Sequence, residues 1–139
     1  MLAIQVKGDW GMRFCTAINC MDGRAQLPAI TFLKERFHVD YVDMITEAGP
    51  NRMLGHLTNY GLLQSVLDRL RISVEHHRSV GIAIVGHHDC AGNPAGKEEQ
   101  TCDTLAALKR IRQHCPQYKD IPMIGLWIDE TWSVSEISV

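Results

Sequence analysis

The 139-residue chain has no apolar run long enough to cross a bilayer and no block of Lys and Arg that would make a basic patch. The first absence excludes a membrane-spanning helix, and the second leaves no surface suited to nucleic acid or anionic lipid. The opening segment MLAIQVKGDWG carries a short apolar patch with neither a long hydrophobic stretch nor a small-residue cleavage site. It therefore reads as mature protein, and the expected compartment is the cytoplasm. No Cys-x-x-Cys occurs, which makes a redox role for the thiols the weaker option. Internal repeats and low-complexity segments are also missing, so residues 1–139 are expected to form one domain with its own hydrophobic core.

What is present is an ordinary globular balance: 45% hydrophobic and 22% charged residues, with a net charge of −2. Five cysteines stand at positions 15, 20, 90, 102 and 115. An odd count without a leader argues against a secreted disulfide framework and for buried thiols or metal ligands. Cys15, Cys102 and Cys115 are assigned to packing.

Strand and helix patterns alternate along the chain. RFCTAINC, DYVDMIT, VGIAIVG and IPMIGLWID read as strands, and TWSVSEISV as a further edge or a tail. Between them, Ile30, Leu33 and Phe37 recur at helical spacing behind Pro28. A longer helix is expected over about 58–78, with His76 and His77 at its solvated end, and another over TCDTLAALKRIRQHC. The fold class predicted is α/β: an open, mostly parallel β-sheet of about four to five strands flanked by helices on both faces. In such sheets function gathers at the carboxyl ends of the strands. Cys20 closes the first strand, and GHHDC (86–90) closes the third.

Those residues are chemically suggestive. Zinc takes thiolate and imidazole ligands in a tetrahedron, and a catalytic site keeps one corner open. His87-x-x-Cys90 supplies two corners from one loop, and Cys20 supplies a third from a different strand end. Two thiolates and one neutral imidazole suit zinc better than magnesium or calcium. Asp22 and Arg24 follow Cys20 at a spacing that lets the guanidinium grip the carboxylate bidentately. An aspartate held in this way stays off the metal yet can accept a hydrogen bond from its water.

At these residues the sequence resembles the β-class carbonic anhydrases. Cys20, Asp22 and Arg24 match that family's Cys-x-Asp-x-Arg motif, and Gly86, His87 and Cys90 match its Gly-His-x-x-Cys motif, in the expected order. GLWID (125–129) resembles the family's late strand. The resemblance implies one Zn2+ per chain on Cys20, His87 and Cys90, with His88 left as a neighbour. It implies Asp22 and Arg24 as the catalytic dyad, reversible hydration of carbon dioxide to bicarbonate as the reaction, and a homodimer or higher homo-oligomer as the assembly. His88 and His56 are candidate proton relays on chemistry alone. Two other readings share the metal: a zinc hydrolase of a related small molecule such as carbon disulfide or carbonyl sulfide, and a noncatalytic zinc-binding structural or interaction module.

The sequence also departs from the family pattern. Thr46-Glu47-Ala48-Gly49 stands where Asn-Ala-Gly is usual, placing a carboxylate near the site or toward a partner subunit. Ala91 stands where glycine commonly follows the second cysteine, which would strain the backbone if that position needs a positive φ. The N-terminal helical arm that usually wraps a partner is not expected, because Cys20 comes almost at once. Trp10, Trp127 and Trp132 are candidates to line an interface.

Overall fold

The computed structural model describes residues 12–138. Its core is a five-stranded sheet in the order β2-β1-β3-β4-β5. The strands are β1 (Phe14–Cys20), β2 (Tyr41–Glu47), β3 (Ile82–His87), β4 (Met123–Ile128) and β5 (Val134–Ile137). The first four run parallel, and β5 pairs antiparallel with β4, from Gly125↔Ile137 to Ile128↔Val134. The segment TWSVSEISV thus supplies an edge strand. Trp10 lies outside the described residues.

Period-two alternation sorts each strand onto two apolar faces. Cys15, Ala17, Ala83, Val85, Leu126 and Ile128 pack with Ala29, Leu33 and Phe37 of α1 (Gln26–Phe37). On the other face Ile18, Ile45, Ile82 and Ile84 meet three helices. These are α2 (Pro50–His56), α3 (Tyr60–Arg71) and α4 (Lys97–His114). Helices on both faces are what buried, near-continuous apolar strands require.

The expected helix over 58–78 is divided. Asn59 caps α3, its side-chain oxygen accepting from the Leu62 N–H at 3.0 Å. After Arg71 the coil widens into a π-helical turn, Ile72–His76. His77 is not simply solvated: its Nδ1 bonds Asp43 at 2.6 Å and its ring stacks on Phe14 at 4.2 Å. Cys15 and Cys115 are buried as expected, whereas Cys102 is exposed on α4.

The chain crosses from β1 outward to β2 through α1 on one face. It then returns past β1 to β3 through α2 and α3 on the other. Adjacent strands β1 and β3 therefore send their connections in opposite directions. Their pairing covers only Thr16↔Ile82 to Ile18↔Ile84, so the strand ends beyond it are free to part. This is a topological switch point, where an open sheet offers a crevice. Cys20 and His87 are the terminal residues of those two strands.

Candidate metal centre

Among the described residues, Cys20, His87 and Cys90 form a cluster whose donor atoms all lie within 4.8 Å of one another, and all three are buried. The two sulfurs stand 3.7 Å apart. Two thiolates each bound at about 2.3 Å to a tetrahedral zinc would be separated by about 3.8 Å. The tautomer of His87 is set by its neighbour: Nδ1 meets the His88 carbonyl oxygen at 2.7 Å and so donates to it. That leaves Nε2 with a lone pair. Nε2 is the one buried side-chain nitrogen or oxygen among the described residues that has no hydrogen-bond partner. Buried polar atoms are rarely orphaned, because the desolvation is uncompensated. An imidazole nitrogen aimed at two thiols is the arrangement a soft divalent cation completes, so the donor set fits zinc.

Backbone amides reinforce the sulfurs. Gly49 and Asp22 N–H groups donate toward Cys20 Sγ, and Gly92 and Asn93 N–H groups toward Cys90 Sγ. The thiol of Cys90 also donates to Cys20, which holds Cys20 well below the ordinary thiol range while Cys90, keeping the proton and buried, is pushed above it. For His87, burial favours the neutral ring, and the nearby Cys20 sulfur and the His88 carbonyl more than offset it, leaving its pKa raised. The three shifts are linked: Cys20 ionises most readily, and its sulfur helps to hold protons on Cys90 and His87.

The turn after Cys20 is fixed from both sides. Asn19 accepts from the Cys20 N–H at 2.8 Å and donates to the Ala25 carbonyl at 3.1 Å. Gln26 Nε2 donates to the Cys20 carbonyl at 2.6 Å and to that of Asp22 at 3.2 Å. Within this turn Arg24 grips Asp22 bidentately, Nε to Oδ1 at 3.1 Å and Nη2 to Oδ2 at 2.7 Å. The guanidinium's hydrogen bonds hold the Asp22 carboxyl down at about 2. Asp22 Oδ2 remains 3.9 Å from His87 Nε2, beside the donors and turned toward Arg24. Arg24 also reaches Asp89, to Oδ2 at 3.3 Å and the backbone oxygen at 3.1 Å.

Behind the donors lies a buried polar seam that the sequence reading did not identify. Gln100 Nε2 donates to the carbonyls of His87 (2.8 Å), Asn93 (3.1 Å) and Ala95 (3.0 Å). Asn51 Nδ2 donates to Gln100 Oε1 and Thr104 Oγ1, each at 3.2 Å. Asn93 Nδ2 donates to Asn51 Oδ1 and Asp103 Oδ2. Asp103 in turn bonds His56 at 2.8 Å. Among the described residues, His56 is joined to the centre by hydrogen bonds through Asp103 and the Asn93, Asn51 and Gln100 carboxamides, which neither gain nor lose protons near neutrality. That chain braces the loop that carries the donors. His88 is exposed and next to the centre.

The sequence departures resolve individually. The Glu47 carboxylate pairs with Arg69 of α3 and does not enter the cluster. Ala91 is not among the residues with positive φ, so no strain arises there; Asp89 takes that conformation at 57°. The demanding glycines are Gly49, at φ 60°, and Gly92. A Cβ on Gly49 would fall 2.5 Å from the Gly92 carbonyl carbon, and one on Gly92 would fall 2.4 Å from that of Ala48. This close backbone approach seats one amide donor on each sulfur. Two open grooves flank the centre. One of about 410 Å³ is lined by Ala48, Gly49, Arg52 and Gly92 among others. The other, about 440 Å³ between α1 and the start of β5, meets the centre only through Trp132. Trp127 is buried in β4.

Known proteins share this fold. A family model described as "putative carbonic anhydrase" matches residues 11–138. No curated protein matches the sequence. Similar solved structures include one from a study of two tetrameric β-carbonic anhydrases of Sordaria macrospora, at 11% identity, covering 93% of this chain and 82% of that one, with a TM-score of 0.60. A point mutant of the β-carbonic anhydrase CafD of Aspergillus fumigatus is 15% identical, covering 99% of this chain and 95% of that one, with a TM-score of 0.61. At such identities the likeness establishes the fold, and the family model establishes membership. The chain belongs to the carbonic anhydrase family, in its β-class fold.

Proposed function

We propose that this protein hydrates carbon dioxide reversibly to bicarbonate and a proton, with one zinc ion held by Cys20, His87 and Cys90. The observation that carries the reading is the orphaned Nε2 of His87 set between two thiols, next to a carboxylate that Arg24 has already claimed. When bound, zinc supplies a Lewis acid that makes water nucleophilic at neutral pH. Asp22 would orient the attacking water through a hydrogen bond accepted at its carboxylate. Arg24 keeps Asp22 ionised and turned away from the donors. His88, exposed beside the centre, is the proposed relay of the proton to buffer. A zinc that only braced the fold would need neither Asp22 nor Arg24, and this favours an enzyme over a noncatalytic module.

A homo-oligomer belongs to the same reading. Met21 and Leu27, 66% and 69% exposed, flank the centre as unpaired apolar side chains, and the Sordaria macrospora enzymes of this fold are tetrameric. The five free cysteines fit a reducing compartment, in keeping with a cytoplasmic protein. Stopped-flow carbon dioxide hydration on zinc-loaded protein tests the proposal. Turnover well above buffer in the wild type is expected, and a rate at buffer background would refute it.

A further inference from the structure

Trp132 stands in the turn between β4 and β5 at φ 62°, a left-handed conformation that bulky side chains rarely adopt. The turn holds it there. Asp129 Oδ1 accepts from the Thr131 N–H and hydroxyl and from the Ser133 N–H, at 2.8–3.0 Å. The Trp132 N–H donates to the Asp129 carbonyl at 2.9 Å, and the Asp129 N–H to that of Ser133 at 3.0 Å. Five hydrogen bonds thus fix one unfavourable residue conformation, and an observed outlier of this kind prompts a functional question.

The answer lies in what the indole touches. The Arg24 guanidinium carbon sits 4.7 Å from the centre of the Trp132 ring, within cation–π range. The His87 ring centre is 6.0 Å away, tilted by 38°. Arg24 is shared between two carboxylates, Asp22 and Asp89, and its side chain is 49% exposed. Asp89 is 69% exposed and competes for the same guanidinium. The hydrogen bonds of the guanidinium are divided between Asp22 and the exposed Asp89, whereas the indole holds it by a contact that depends on neither carboxylate.

We propose that Trp132 is a positioning residue: its indole holds the Arg24 guanidinium in the plane that grips Asp22 and covers His87 on that side. The kinetic consequence rests on the carbon dioxide hydration reading, whereas the positioning of Arg24 is measurable without it. The test compares Trp132→Phe, which keeps a π face, with Trp132→Leu, which keeps apolar bulk alone. Trp132→Gly, which suits the positive φ but removes the side chain, serves as a third arm.

Exchange of the Arg24 Nε–H with solvent, followed by NMR, is the primary readout. It is expected to stay close to wild type in the Phe variant and to accelerate about tenfold in the Leu and Gly variants, the size of a partly desolvated cation–π contact. In zinc-loaded protein kcat should fall by a similar factor in the Leu and Gly variants, with zinc content and KM little changed. Protection of the Arg24 Nε–H in the Leu variant equal to that in the Phe variant would overturn the proposal, because packing alone would then suffice. If the wild type shows no hydration but the exchange pattern holds, the hydration reading fails and the positioning role stands.

Discussion

At the scale of single residues, the centre depends on which hydrogen bonds are already made. Asp22 has its carboxylate committed to Arg24, and His87 has Nδ1 committed to the His88 carbonyl. What remains uncommitted, His87 Nε2 and the two sulfurs, is the proposed ligand set. On that account Asp22→Asn should keep its zinc and lose roughly 10²-fold in kcat, the usual worth of one positioned proton-handling group. Metal analysis and stopped-flow rates on the same sample check both halves; a variant with wild-type kcat would remove Asp22 from the mechanism. The grouping of Cys20, His87 and Cys90, with Asp22 and Arg24 beside them, was legible in the sequence, because motif spacing and strand-end position are one-dimensional signals. Trp132 was named there only as an interface candidate. Its role over Arg24 depends on a positive φ and on a contact between opposite ends of the chain, neither of which leaves a pattern in sequence.

At the scale of elements, the amino-terminal half of α4 acts as a brace. Its buried face there is polar: Gln100, Asp103 and Thr104 sit beneath the β3 end, where Leu108 and Ile111 continue the apolar stripe further along. The apolar periodicity revealed the helix from Thr101 onward but not the buried role of its polar residues, because a polar side chain in sequence looks solvent-facing until its buried partners are known. The helix α2 was missed for a related reason: seven residues starting at Pro50 are too few to show a period. Gln100 supplies the side-chain donor to three carbonyls, including that of His87. Gln100→Leu should therefore destabilise the protein by about 2–3 kcal/mol, the cost of stranding buried acceptors. It should also weaken zinc binding, since the His87 loop loses its tether. Urea unfolding and a competitive zinc titration measure the two effects, and unchanged values for both would show that the seam carries no load.

At the scale of the whole molecule, a parallel sheet fed from both faces delivers two strand ends to one crevice, and the site follows from the topology. The alternation of strands and helices made that architecture readable in advance, as was the mostly parallel order with about five strands. The π-helical turn was not readable, because nothing in Ile72–His76 differs in composition from α-helix. Far from the centre, that turn is tied to the 3-10 turn Pro116–Tyr118, which follows α4, by the Tyr118 hydroxyl, which donates to Glu75 at 2.8 Å. Burial, with help from Glu75, pushes the Tyr118 phenol from 10.0 up to about 12. The fold thus favours the neutral phenol. Its stabilisation is complete below about pH 10 and is lost as the pH rises toward about 12. Tyr118→Phe should lower stability at about pH 8 and flatten the loss of Tm between about pH 10 and 12; an unchanged alkaline slope would show that the phenol makes no contribution.

In the reading proposed above, one metal ion, on Cys20, His87 and Cys90, turns this strand-end crevice into a carbon dioxide hydratase. Zinc titration of metal-free protein, read as the initial rate of carbon dioxide hydration by stopped flow, tests it most directly with Cys90→Ser alongside. The rate should rise linearly and break at one zinc per chain in the wild type, and stay at buffer background in the variant. A wild-type rate that never leaves background, or a Cys90→Ser rate that follows the wild type, would contradict it.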